Sequence, residues 1–465
     1  MRRGMVSLVA LAAAAALCLA PAAGATGSRG SHGRVLVVDK DAHRRTCYGK
    51  HHRVFPTIQL AVEAARSGDT IKVCPGLYKE TVTVDKPDLT ILGANAGRDA
   101  TRDHRGRESI VEGTPGTGAL GVVQLLEDDI TWDGFTVRGV FAAKENSPGM
   151  YTSPAHSGYL IRDTIFLDNG SGIRLGASGD HPTLVCRNRF TANNEFEGPT
   201  GGFGIYSDEG AQQVLITSNL FERHNGAAIL FADKGRPQRN VRIEHNKSVD
   251  DRAFASIFNS ARFRLTSNSI RARLLLPNSV QEPASAIFIG ARNDGIVVQK
   301  NKIKSASGNG IDITNTGEPG TDPSAPRNVV VRKNKVEHVQ ASGIAVSATG
   351  VRQYQVLHNR SRDNGEFGIH FASGTNGGTV TGNTALGNEV DCKDDSTGPL
   401  NIWTANTGVS SQPAALCSAP SIDDNPVQDG RHHDKKKSRK HHKKTKKQKQ
   451  HRPDPCACAY HPRSM

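Results

Sequence analysis

After residue 25 the sequence has no apolar run of membrane length, which excludes a spanning helix in the body of the chain. Helical periodicity is almost as scarce. Only residues 56–68, PTIQLAVEAARSG, carry it clearly, so strand must supply most of the regular structure. Balanced charge is also missing, because the net charge is +14. That excess is local: residues 431–452 hold twelve Lys or Arg against the single Asp434, which is +11 of the +14. Outside that segment the chain is close to neutral, which removes the usual reason to read a basic protein as a nucleic-acid binder.

The first 25 residues read as a secretory signal, with Arg2 and Arg3, an apolar stretch from Val6 to Ala20, and Ala23-Gly24-Ala25 at the end. Leu17 ahead of Cys18 spoils a lipoprotein cleavage site, so no lipid anchor is expected. Residues 26–54 are expected to form a short lead-in. Export places the remaining cysteines where disulfides persist. Their clustering predicts Cys47 with Cys74 and Cys392 with Cys417, one staple at each end of a domain over 55–417, with Cys186 a spare thiol.

What is abundant is a repeat. Two inward apolar residues are followed by asparagine in TLVCRNRF (Asn188), VLITSNLF (Asn219), VRIEHNKS (Asn246), FRLTSNSI (Asn268), IVVQKNKI (Asn301), VVVRKNKV (Asn334), YQVLHNRS (Asn359) and GTVTGNTA (Asn383). The gaps between these asparagines run from 22 to 33 residues, the period of a solenoid. ITWDGFTV and YLIRDTIF carry the same beat less perfectly. Between them a second strand recurs, as in GIRLGAS, GIYSDEG, AILFADK, SIFNSAR, AIFIGAR, GIDITNTG, GIAVSATG and GIHFASG. Asparagine tolerates left-handed backbone, and its amides can bond one another when stacked rung upon rung. Strand, turn and strand within each coil predict an all-β, right-handed single-stranded parallel β-helix. Its N-terminal plug would be a helix over 56–66, with Ile58, Ala61, Val62 and Ala65 on one face and Gly68 as its stop.

FPTIQLAVEAARSGDTIKVCPGLYKETVTVDKPDLTILG resembles the opening of pectin-lyase-like β-helix proteins, which include pectin methylesterases and the accessory β-helix protein of copper-site maturation. NEVDCKDDSTGPLNIWTANTG resembles the closing coil of secreted members. The resemblance implies a fold rather than an activity, because this architecture hosts many functions. The methylesterase aspartate motifs are absent, with only LYKETV near Tyr78 and Glu80 and GRPQ at 235–238 as faint echoes. Polygalacturonase Gly-His-Gly, the pectate-lyase Arg-x-Pro-x-x-Arg signature and the epimerase Asp-Pro-His motif are absent too. GIDITNTG around Asp312 only loosely resembles an acidic motif. No catalytic residue is therefore carried over from these enzymes.

Alternation along the second strands predicts an outward column of Arg174, Tyr206, Leu230, Phe258, Phe288, Asp312, Ala345 and His370. Tyr206, Phe258 and Phe288, with Arg292, are candidates for binding a sugar chain; the competing expectation is that insertions fold over this stripe and bury it. Asp208, Glu209, Asp233, Lys234 and Arg262 are the candidate catalytic set, with Arg292 and Asp294 just beyond. In a lyase, the carboxylates would hold Ca²⁺ against a uronate while Lys234 or Arg262 removes a proton. In a glycoside hydrolase, Asp208 and Asp233 would act as the paired carboxylates. In the plainer alternative these are solvated turn charges.

The segment 418–465 is expected to be disordered. Its cations would bind anionic polymers, including nucleic acid non-specifically. Alternatively, His432, His433, His441 and His442 with Cys456 and Cys458 would bind a metal, or the tail would serve only solubility. The sequence thus predicts a secreted, extracellular or cell-wall-associated monomer that binds or acts on extracellular or cell-envelope polysaccharide. The alternatives are a lyase or hydrolase acting on acidic polysaccharide and a metal-handling accessory protein.

Overall fold

The computed structural model describes residues 33–41, 47–48, 53–113, 120–140, 147–194, 202–232, 234–236, 238–275, 282–317, 323–351, 353–396, 401–420 and 456. The expected signal segment, Asp233 and the tail beyond residue 420, Cys456 excepted, lie outside them.

Each coil runs through three short strands. In one of them these are Val214–Thr217, Leu220–Glu222 and Ala227–Phe231. Each pairs in parallel with its counterpart one coil later, in the registers Ile216↔Ile243, Phe221↔Ser248 and Ile229↔Ala255. The result is a right-handed parallel β-helix with long sheets of 15, 12 and 13 strands, here sheets 1, 2 and 3. The strand-turn-strand expectation is corrected here, because each asparagine segment is two strands. The break comes from the residue before the asparagine, which is left-handed at Arg187, Ser218, His245, Ser267, Lys300, Lys333 and His358 (φ 53 to 57°). The asparagine itself does not supply the turn backbone.

Its amide instead holds the turns together. Asn219 Nδ2 donates to Asn246 Oδ1 (3.0 Å) and to the Val185 carbonyl (2.9 Å), and its backbone N–H donates to Asn246 Oδ1 (3.0 Å). The pattern runs from Asn188 to Asn406 with amide-to-amide distances of 2.9 to 3.2 Å. Left-handed backbone costs about 1–2 kcal/mol at a residue with a side chain. Satisfied buried amides on every rung offset that strain.

Alternation fills the interior. Val185, Ile216, Ile243, Leu265, Val298, Val331, Val356 and Val380 of sheet 1 are fully buried. On sheet 2, Phe166, Phe190 and Phe221 stack at 5.0 and 4.8 Å. A second buried ladder lies between sheets 2 and 3 and departs from amide chemistry. Asn169 bonds Asn193 (2.9 Å), Asn193 meets His224 Nε2 (3.2 Å), and His224 Nδ1 lies 2.6 Å from Asp251 Oδ1.

The plug is the helix Ile58–Ala64, shorter than expected, with Thr57 as its N-cap accepting the Leu60 N–H and Ile58, Ala61 and Val62 buried. Glu80 accepts the Ile58 and Gln59 N–H groups (2.9 Å each), serving two donors that a helix start leaves open. Sheet 1 begins ahead of this helix, with Arg53–Phe55 and Val35–Val38. Disulfides join Cys47 to Cys74 and Cys392 to Cys417. Cys186 is also disulfide-bonded, which corrects its reading as a spare thiol. Among the described residues no helix is long and apolar enough to cross a membrane.

Candidate functional site

The outer face of sheet 3 carries most of the residues singled out from sequence. Parallel pairing aligns Tyr151, Arg174, Tyr206, Leu230, Ser256, Phe288, Asp312, Ala345, His370 and Lys393 in one column. Ser256 therefore occupies the place expected for Phe258. The error is a shift of two residues, which preserves the facing and so escapes an alternation argument. Phe258 still reaches the stripe, because its ring lies 5.5 Å from that of Phe288. Gly290 makes that approach possible: a Cβ there would stand 2.3 Å from the Phe258 ring.

The two ends of the face differ. Tyr206 is buried against Phe203 (ring centroids 5.4 Å apart) in a small cluster with Ala227, Ala232 and Ala253. Phe258 and Phe288 are half-buried, and Arg292 is exposed. Cover is thus closer over Tyr206 than over Phe258 and Phe288.

Beside the covered end a charged cluster forms. Arg174 forks onto Asp208 through Nε and Nη2 (2.9 Å each) and reaches Glu209 Oε1 (3.1 Å), while the Tyr151 hydroxyl donates to Glu209 Oε2 (2.8 Å). Burial, and then the bond to the Glu209 carboxylate, push the Tyr151 hydroxyl up to about 12. Asp208 and Glu209 thus share one guanidinium. Lys234 is exposed, and Arg262, also exposed, sits in the turn toward sheet 1 with its backbone N–H on the Asp294 carbonyl (2.9 Å). Asn328 Nδ2 donates to Asp294 Oδ1 (2.7 Å).

The column continues beyond Phe288 through the expected Asp312, Ala345 and His370 to Lys393. Burial pushes the Asp312 carboxyl up against the hydrogen bonds of Asn309 and of Ser285, whose Oγ donates at 3.1 Å. Ala345 follows, itself buried, and then His370 Nε2 lies 3.0 Å from Asp395 Oδ2. Lys393 Nζ sits 4.4 Å from the centre of the Phe367 ring and 3.5 Å from Asp395. The recurring second strand marks His370, which holds its expected place in the column. Lys393 and Asp395 lie in the closing coil, where the glycine-led strand signal stops.

The arrangement offers two aromatic rings, a carboxyl raised by burial and charges of both signs along a ribbon with roughly 4.8 Å between rungs. The chain has the right-handed parallel β-helix fold. Residues 234–413, less than half of it, match the family described as "Periplasmic copper-binding protein (NosD)". No curated protein matches. Among solved structures, the GH87 α-1,3-glucanase catalytic unit of Streptomyces thermodiastaticus strain HF3-3 is 13% identical, with a TM-score of 0.48 over 83% of this chain and 71% of that one. The Dettilon tailspike protein is 13% identical, with a TM-score of 0.40 over 78% of this chain, which spans only 59% of the tailspike. The periplasmic alginate epimerase AlgG is 12% identical, with a TM-score of 0.39 over 74% of this chain and 77% of its own.

Proposed function

We propose that the outer face of sheet 3 binds an extracellular or cell-envelope polysaccharide, and that the basic tail holds the exported protein to an anionic surface. The observation that carries this reading is the Phe258–Phe288 pair. Two neighbouring rings on the outer face are left half-buried, with Arg292 exposed in the turn that follows Phe288. Aromatic surface of this kind, rimmed by charge, is a contact surface. Arg292 suits the carboxylates of an acidic sugar chain.

Affinity electrophoresis through pectate, alginate and a neutral glucan tests the reading. Retention by at least one polymer is expected, weakened about tenfold in Phe258→Ala and Phe288→Ala, a loss of about 1.4 kcal/mol. Equal mobility in every gel, or retention untouched by both changes, would overturn it. A lyase or hydrolase using Asp208, Glu209, Asp233, Lys234 or Arg262 predicts more. Unsaturated product or new reducing ends should form, with Ca²⁺ required in the lyase case.

The second reading, a metal-handling accessory protein, is supported by the partial match to a copper-binding family. Cys456 is disulfide-bonded, so its thiolate is withdrawn from the metal-binding set considered for the tail.

A further inference from the structure

Three consecutive coils place metal-ligating side chains in one turn, between sheets 3 and 1. After strand Val123–Leu125 come Glu127, Asp128 and Asp129. After Pro148–Thr152 comes His156, and after Ser171–Arg174 comes His181. Parallel pairing of these strands stacks the three turns.

His156 Nδ1 lies 3.2 Å from Asp128 Oδ2 and 3.7 Å from Glu127 Oε2. All three donor atoms fall within 4.8 Å of one another. Beside them His181 Nδ1 is 2.9 Å from Asp129 Oδ2. A tetrahedral ion with ligands at about 2.1 Å holds its donors about 3.4 Å apart. Two of the three separations are therefore within a few tenths of an ångström of ligation spacing.

The turns that present these groups are themselves bonded. The Ser157 N–H donates to Asp128 Oδ1 (2.7 Å), which directs Oδ2 toward His156. The His181 backbone N–H donates to Ser157 Oγ (2.9 Å), and the Ser178 backbone N–H donates to the His156 carbonyl (2.8 Å). Gly158 is left-handed (φ 77°), and a Cβ there would stand 2.0 Å from Asp129 Oδ1. Only glycine lets that carboxylate approach. Supports of this kind orient ligands before an ion arrives.

Three consecutive carboxylates repel one another, and a divalent cation compensates them without requiring either imidazole to be protonated. Calcium and magnesium sites are built from oxygen, whereas imidazole beside carboxylate suits zinc and its neighbours. We propose that Glu127, Asp128 and His156, flanked by Asp129 and His181, bind one divalent transition-metal ion of the zinc class. The site lies outside residues 234–413 and away from the Phe258–Phe288 pair. It stands or falls independently of polysaccharide binding.

The test uses the full chain with His432, His433, His441, His442, His451 and His461 changed to alanine and Cys458 to serine, so that the tail does not compete. Calorimetric titration with Zn²⁺ should show one equivalent bound, weakened at least 100-fold in His156→Ala and about tenfold in His181→Ala, with Ca²⁺ unable to compete at equal concentration. Co²⁺ should give visible absorption bands of a nitrogen-ligated site in the parent chain. Absence of those bands overturns the assignment even if His156→Ala fails to fold. Equal Zn²⁺ affinity in parent and His156→Ala, or Ca²⁺ binding as tight as Zn²⁺, would overturn it as well.

Discussion

The asparagine ladder and the outer face of sheet 3 belong to the same coils and follow opposite rules. Along the ladder, from Asn188 to Asn406, the same amide makes the same bonds at each rung. Across sheet 3 the aligned residues change chemistry almost every rung, from Tyr151 through Arg174 and Phe288 to Asp312 and Lys393. A buried amide between two neighbours must satisfy both, so one solution repeats. An outward side chain has no such obligation. Repetition therefore marks what builds the solenoid, and its absence marks where recognition can reside.

The comparison breaks most severely if the ladder is cut. Asn301→Leu removes the donor to the Leu265 carbonyl and the acceptor for two Asn268 N–H groups. A loss of roughly 4 kcal/mol is expected from several unsatisfied buried groups. Denaturant unfolding measures it, and a loss below about 1 kcal/mol would show that the rungs act independently of the ladder.

Arg174→Ala comes next, because it leaves Asp208 and Glu209 side by side without their shared guanidinium. A loss of about 2 kcal/mol is expected, partly recovered when Asp208→Asn is added. Lack of recovery would mean that the cluster is not held by charge. Phe288→Ala should cost less than about 1 kcal/mol of stability while lowering polysaccharide affinity about tenfold, which separates the outer face from the ladder in a single variant.

The smallest effect is at Asp312. Burial raises its carboxyl above the unfolded value, so the folded state favours the protonated form. That contribution is fully present below the unfolded pKa and is lost as pH rises through the folded one. Asp312→Asn should therefore flatten this part of the stability profile and slightly raise the unfolding midpoint at neutral pH. A lower midpoint there would mean that the carboxylate is stabilised by its partners.

The ladder was legible because identical residues recur against the same apolar neighbours. Both end disulfides were legible from cysteine clustering. The third strand of each coil was not, since Leu220–Glu222 follows Val214–Thr217 with only Ser218 and Asn219 between them. A short left-handed break leaves little compositional trace. The Phe258 register was misread for a related reason: a shift of two residues keeps every side chain on its face. The second ladder was hidden because Asn193, His224 and Asp251 bond in sequence without sharing a residue type.

By itself the sequence determined the solenoid, its amide spine and its stapled ends, because these depend on periodic burial that repeats along the chain. Only the tertiary structure decided which outward residues meet. Covering Tyr206, leaving Phe258 and Phe288 half-buried, and bringing His156 against Glu127 and Asp128 all depend on turns of unequal length stacked across coils. Distances across stacked coils follow from register and insertion length together, and no local pattern carries both.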